Sequence, residues 1–175
     1  MPVIGAPQRA LWVTAAAGLA VDQVTKAVAA VVIEGKPPRH ALGVTFTAIR
    51  NSGAAGSFAP NATVVFTLLA LSALAFITWT SSSLRSVSWG VGLGLIFAGA
   101  GGNLSDRIFR TPGFGRGAVL DFLQIGHSGI FNLADQCVTF GALTVLVLTV
   151  RGVPMRAGDG PLTPRSAGGP EDGGR

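Results

Sequence analysis

Eight carboxylates are available for chemistry in this 175-residue chain, and three of them, Asp159, Glu171 and Asp172, fall in a Gly- and Pro-rich C-terminal stretch. Of the other five, Asp22, Asp106 and Asp135 lie in or against apolar helix-like runs, and Asp121 sits between Leu120 and Phe122. A carboxylate in an apolar medium costs ~2.5 kcal/mol or more unless it is paired or neutral, so these positions are candidates for function. Other routes to catalysis are poorly supplied. The two histidines, His40 and His127, are too few for a typical zinc site, and neither stands in an HExxH pattern. Cys137, the single cysteine, has no histidine near it in sequence, and no GxSxG elbow is present. Carboxylates are left to do the acid–base work. Two aspartates held close share one proton: the ionised member takes a proton from water while the protonated one polarises a carbonyl. Such a pair hydrolyses peptides with no metal and no cofactor.

Spacing groups the candidates. Asp22 and Lys26 are four apart, so on a helix they share a face and can pair, either for packing or in a site. Asn51 and Gly53 open RNSGAAGSF-type turn chemistry, which suits an ordinary turn or a loop lying close to a bound chain. Asn103 and Asp106 are three apart and face one way, behind the small residues Gly99 to Gly102 that allow close approach. Arg107 beside them can pair with a carboxylate or a lipid phosphate. Asn132 and Asp135 begin the next apolar run, where an aspartate also favours the helix dipole.

The elements that must position these residues are membrane spans. Hydrophobic residues make up 49% of the chain and charged residues 12%, about half the share usual for a soluble domain. Four runs approach the ~20 residues that cross a bilayer: about Ala10 to Ile33, Ala62 to Thr80, Val87 to Leu104 and Phe131 to Val150. Between the first two, Val44, Phe46 and Ala48 alternate with Thr45, Thr47 and Ile49, which predicts a short half-buried strand. Ser105 to Ile130 reads as loop. The expected class is an all-α membrane protein of four transmembrane helices with a small β-like element. The expected division is a four-helix domain over 1–152 and a disordered tail over 153–175, rich in Gly, Pro and Arg.

The net charge of +5 and pI near 11.1 do not point to nucleic acid, because the basic residues are scattered singly through apolar sequence. Four spans place both termini on one side. Six Lys and Arg fall on the terminal side and six on the loop side, so the positive-inside rule leaves orientation open. An aspartate-lined bundle also suits a small transporter or channel. The carboxylates gather at one membrane face, however, and a conduction path needs polar groups at graded depths.

Five segments taken together resemble lipoprotein signal peptidase, the bacterial signal peptidase II family. They are DQVTK at Asp22 to Lys26, NSGAA at Asn51 to Ala55, GGNLSDR at Gly101 to Arg107, LDF at Leu120 to Phe122 and FNLAD at Phe131 to Asp135. They occur in family order across most of the chain before the tail. The resemblance implies a catalytic dyad of Asp121 and Asp135, with Asn132 supporting it. Asn103, Asp106 and Arg107 would shape the site and contact substrate, Asp22 and Asn51 would line the pocket, and Lys26 would orient Asp22. Gly53 and Ala134, from the same motifs, complete the site-shaping set. The implied reaction is cleavage on the N-terminal side of a diacylglyceryl-modified cysteine in a prolipoprotein. Also implied are a multi-pass monomer in the bacterial plasma membrane, cytoplasmic termini, active-site loops and the β-like element outside, and sensitivity to globomycin-type cyclic peptides. The chain departs from the family pattern at Gly56, Leu120 and Gln136, none of them a catalytic group.

Overall fold

The computed structural model describes residues 4–52, 62–114 and 116–156. Four helices carry the chain through the apolar layer: α1 (Ala6–Val32), α2 (Ala62–Ser81), α3 (Val87–Phe109) and α4 (Leu133–Val150). Each is long and apolar enough to cross a membrane. Their outer faces carry exposed Val24, Val28, Leu68, Leu69, Leu143 and Leu146, a surface that lipid accepts and water does not.

The central helix is α3. Half of its apolar window is buried, against 11% for α4, and α1, α2 and α4 all pack on it. Glycine makes this possible. A Cβ on Gly94 would run into the Leu11 carbonyl of α1, and one on Gly99 into the Ala134 carbonyl of α4. Close backbone approach of this kind replaces the hydrophobic effect as the source of helix association inside lipid.

Three strands close the end of the bundle where α1 and α3 finish and α2 and α4 begin. Strands β1 (Arg39–Ala41), β2 (Val44–Asn51) and β3 (Val119–Ile125) form an antiparallel sheet in that order. Leu42 and Gly43 turn β1 into β2 with φ of 51° and 77°, the positive pair that suits the twist of a tight hairpin. Phe131 then exchanges backbone hydrogen bonds with Leu123, laying the entry to α4 along β3. Beneath the sheet, Leu120 and Phe122 pack on Ala29 of α1.

Two expectations change. Ser105 to Ile130 is not all loop: it holds the last turn of α3 and the whole of β3. The first four residues of β3 are buried on both faces, so they show no polar alternation to mark a strand. Residues 153–156, expected in the tail, pack on the bundle. Trp89 Nε1 donates to the Val153 carbonyl at 2.9 Å, Arg85 N donates to the Met155 carbonyl at 3.0 Å, and Val153 and Met155 pack on the core around Leu84 and Trp89. Residues 157–175 lie outside the described residues.

Candidate active site

Lys26 is fully buried, and each of its hydrogens finds an acceptor. Its Nζ lies 2.9 Å from Asp22 Oδ2, 3.1 Å from Asp106 Oδ2 and 2.9 Å from Asn103 Oδ1. Asp106 is held again by Arg110 at 2.7 Å and accepts from the backbone N–H of Leu120. The buried Asp22, Lys26 and Asp106 and the partly exposed Arg110 thus neutralise one another, the condition under which buried charge is tolerated.

Asp22 does something the sequence did not suggest. Its Oδ1 accepts from the Ala134 N–H at 2.9 Å, satisfying a free amide in the first turn of α4. Asp22 therefore anchors the start of α4. Ala134 joins the site through its backbone, and it is small because Gly99 and Gly102 of α3 close in on it.

Asn132 caps α4 with Asp135 in a reciprocal pair: Asp135 N donates to Asn132 Oδ1 at 3.1 Å, and Asn132 N donates to Asp135 Oδ2 at 3.2 Å. The same Asn132 side chain donates to Asp121 Oδ1 at 2.5 Å and to Asn103 Oδ1 at 3.2 Å. Asn103 Nδ2 donates to Asp135 Oδ1 at 2.8 Å. From the sheet, Asn51 Nδ2 donates to Asp121 Oδ2 at 2.9 Å. One asparagine thus bonds both aspartates, and a second asparagine holds each from the far side.

The two carboxylates have different surroundings. Asp121 is 2% exposed, and burial pushes its carboxyl above the usual range. Hydrogen bonds from Asn51 and Asn132 oppose the shift, the charge of Asp135 adds to it, and Lys26 acts against it. Asp135 is partly exposed and lines a cavity of about 570 Å³ between α2, α3 and α4. Its polar end is Asn51, Asn103, Arg107 and Asp135, while Phe66, Leu69, Ile96 and Val138 give it apolar walls. Arg107 donates to the Asn103 carbonyl and lies over the Phe66 ring at 5.7 Å; its Nε has no hydrogen-bond partner among the described residues.

Of the residues singled out from sequence, Asp22, Lys26, Asn51, Asn103, Asp106, Arg107, Asp121, Asn132, Ala134 and Asp135 converge at this end of the bundle, and Gly53 lies outside the described residues. Sequence reasoning missed Arg110, Gln23 and Phe66. Arg110 was legible as an i,i+4 partner of Asp106. Gln23, which donates to Asp22 and to the Gly102 carbonyl, and Phe66 carry no local signal. Among the described residues the interior below this level includes Leu11, Ala15, Leu93 and Ala98, which does not favour a graded polar path for transport.

The family model for signal peptidase (SPase) II matches residues 14–151. The lipoprotein signal peptidase of Mycobacterium avium (strain 104) is 46% identical over 146 residues, covering 82% of this chain and 80% of that protein. Its counterpart in Mycobacterium tuberculosis (strain ATCC 25618 / H37Rv) is 44% identical, covering 82% and 72%. A solved bacterial membrane enzyme superposes with a TM-score of 0.66 at 25% identity, covering 79% of this chain and 86% of its own. With four apolar helices, a sheet over one end and the motifs gathered beneath it, the chain belongs to the signal peptidase II family.

Proposed function

We propose that the cluster is the catalytic centre of a lipoprotein signal peptidase, with Asp121 and Asp135 as an aspartic dyad. The observation that carries this reading is Asn132, whose side-chain amide donates to the Asp121 carboxylate and whose backbone N–H donates to the Asp135 carboxylate, beside the apolar-walled cavity that Asp135 lines. Asp121, buried and raised, holds the shared proton. Asp135, facing the cavity, is the base.

The steps follow from that assignment. Asp135 takes a proton from water, the hydroxide adds to the scissile carbonyl carbon, and Asp121 gives its proton to the carbonyl oxygen. In collapse, the C–N bond breaks, Asp135 passes its proton to the leaving nitrogen, and Asp121 recovers the proton from the oxygen. Arg107, whose side chain lines the cavity, holds a substrate carbonyl. The apolar walls receive the lipid-modified part of the chain or the signal helix, and cleavage falls before the diacylglyceryl cysteine.

The protein would act as a monomer in the bacterial plasma membrane. The sheet and cavity would be on the outer face, where exported prolipoproteins arrive, and the termini in the cytoplasm. The four-helix domain would be the whole catalytic unit, without need of 157–175. Incubation of purified protein in detergent with a diacylglyceryl-modified prolipoprotein tests the dyad. Wild type cleaves before the lipidated cysteine; Asp121→Asn and Asp135→Asn elute and melt as folded proteins and do not cleave. Normal processing by either variant removes that aspartate from the mechanism.

A further inference from the structure

An asparagine side chain has two faces of opposite polarity, a carbonyl that only accepts and an NH2 that only donates. Shape barely distinguishes them, so the neighbours decide which way the amide points. Asn103 stands between Lys26 and Asp135: Lys26 donates to its Oδ1 at 2.9 Å, and its Nδ2 donates to Asp135 Oδ1 at 2.8 Å. An ammonium has hydrogens to give and nothing to accept with. With Lys26 in place the amide therefore has one orientation. Reversed, it would set NH2 against an ammonium and a carbonyl against a carboxylate.

We infer that Lys26 is a positioning residue for Asp135, acting through the amide of Asn103; this rests on the reading of Asp121 and Asp135 as the catalytic pair. Lys26 is fully buried and is absent from the cavity wall, so it does not touch substrate. What it transmits is direction. Asn103 fixes one oxygen of Asp135 and the Asn132 N–H fixes the other, which leaves the free lone pairs of the base aimed into the cavity. Asn132 also donates to Asn103 Oδ1, but at the longer 3.2 Å and from a neutral group.

Lys26→Met alone would leave Asp22 and Asp106 short of a cation, so the test keeps the charges balanced. In an Asp22→Asn background, Lys26→Met and Asn103→Ala are made singly and together, and kcat and KM are measured on diacylglyceryl prolipoprotein. Lys26→Met lowers kcat about tenfold or more while Asn103 is present, leaves KM within about twofold, and has little further effect once Asn103→Ala is made. The same factor with and without Asn103 overturns the inference. So does a loss of kcat that only tracks the fraction of protein binding a non-cleavable lipopeptide, since that is the mark of a structural role. If the Asp22→Asn background is silent, the cycle runs in the natural chain with kcat normalised to that bound fraction, and the same outcomes decide. Failure of the dyad reading shows separately, as cleavage by Asp135→Asn.

Discussion

Asn51 Nδ2 donates to Asp121 Oδ2 at 2.9 Å, tying the last residue of β2 to the third residue of β3. The sheet is thereby part of the site. It brings a donor from one loop to a carboxylate on another, 70 residues away in sequence.

Loss of that donor has a signed consequence for pH. Burial raises the Asp121 carboxyl, and the Asn51 hydrogen bond lowers it. As the acid, Asp121 must be protonated, so activity falls as pH rises through the alkaline limb of the pair. Asn51→Leu removes a lowering influence, and the alkaline limb moves to higher pH. The rate at the optimum drops by up to about tenfold, the size of one hydrogen bond to a neutral carboxyl. A pH–rate profile of cleavage checks both, and an alkaline limb that stays put would take the proton away from Asp121.

Glu34, at the end of α1, pairs with Arg50 of β2 through two hydrogen bonds of 2.6 and 2.9 Å. The Arg50 hydrogen bond holds the Glu34 carboxyl below its ordinary value. A depressed acid contributes stability above its unfolded pKa, and that contribution is lost as pH falls through the folded one. Both side chains are about a third exposed, so screening limits the pair to ~1 kcal/mol or less. Glu34→Gln lowers the melting temperature slightly at neutral pH and low salt, with the difference shrinking in high salt and in acid.

Gly99 packs its α-carbon against the Ala134 carbonyl, which is main chain and cannot step aside. Gly99→Ala pushes α3 and α4 apart at the level of the dyad. Overpacking of this kind costs about 1–3 kcal/mol. Detergent melting and cleavage both fall, whereas Gly129→Ala, where nothing stands within 4 Å, melts as wild type does.

Deletions at the C-terminus separate two roles. Removal of Val153 onward deprives Trp89 of its acceptor and takes the Arg156 guanidinium from the Trp79 ring, 5.1 Å away. That truncation lowers the melting temperature by several degrees, as expected for ~1–2 kcal/mol in a protein of this size. Removal of Gly158 onward leaves melting and cleavage unchanged. Equal stability of the two truncations would show that the 153–156 segment is not part of the bundle.

The sequence by itself determined the membrane spans, because an apolar run is a local property that needs no partner to be read. It also picked out polar residues that the fold gathers at one end of the bundle, since a carboxylate in an apolar run is costly unless paired or neutral. Asp22 and Lys26 pair at i,i+4, as their spacing requires. Other relationships only the tertiary structure decided. Strand β3 is apolar on both faces, so its period is silent, and its pairing with β2 appears only when the two loops meet. Asp22 bonds the first turn of α4 across 112 residues of sequence. The orientation of the Asn103 amide depends on a lysine from another helix. Hydrogen bonds between distant segments leave no periodic trace in the chain, because their energy arises only after the helices have packed.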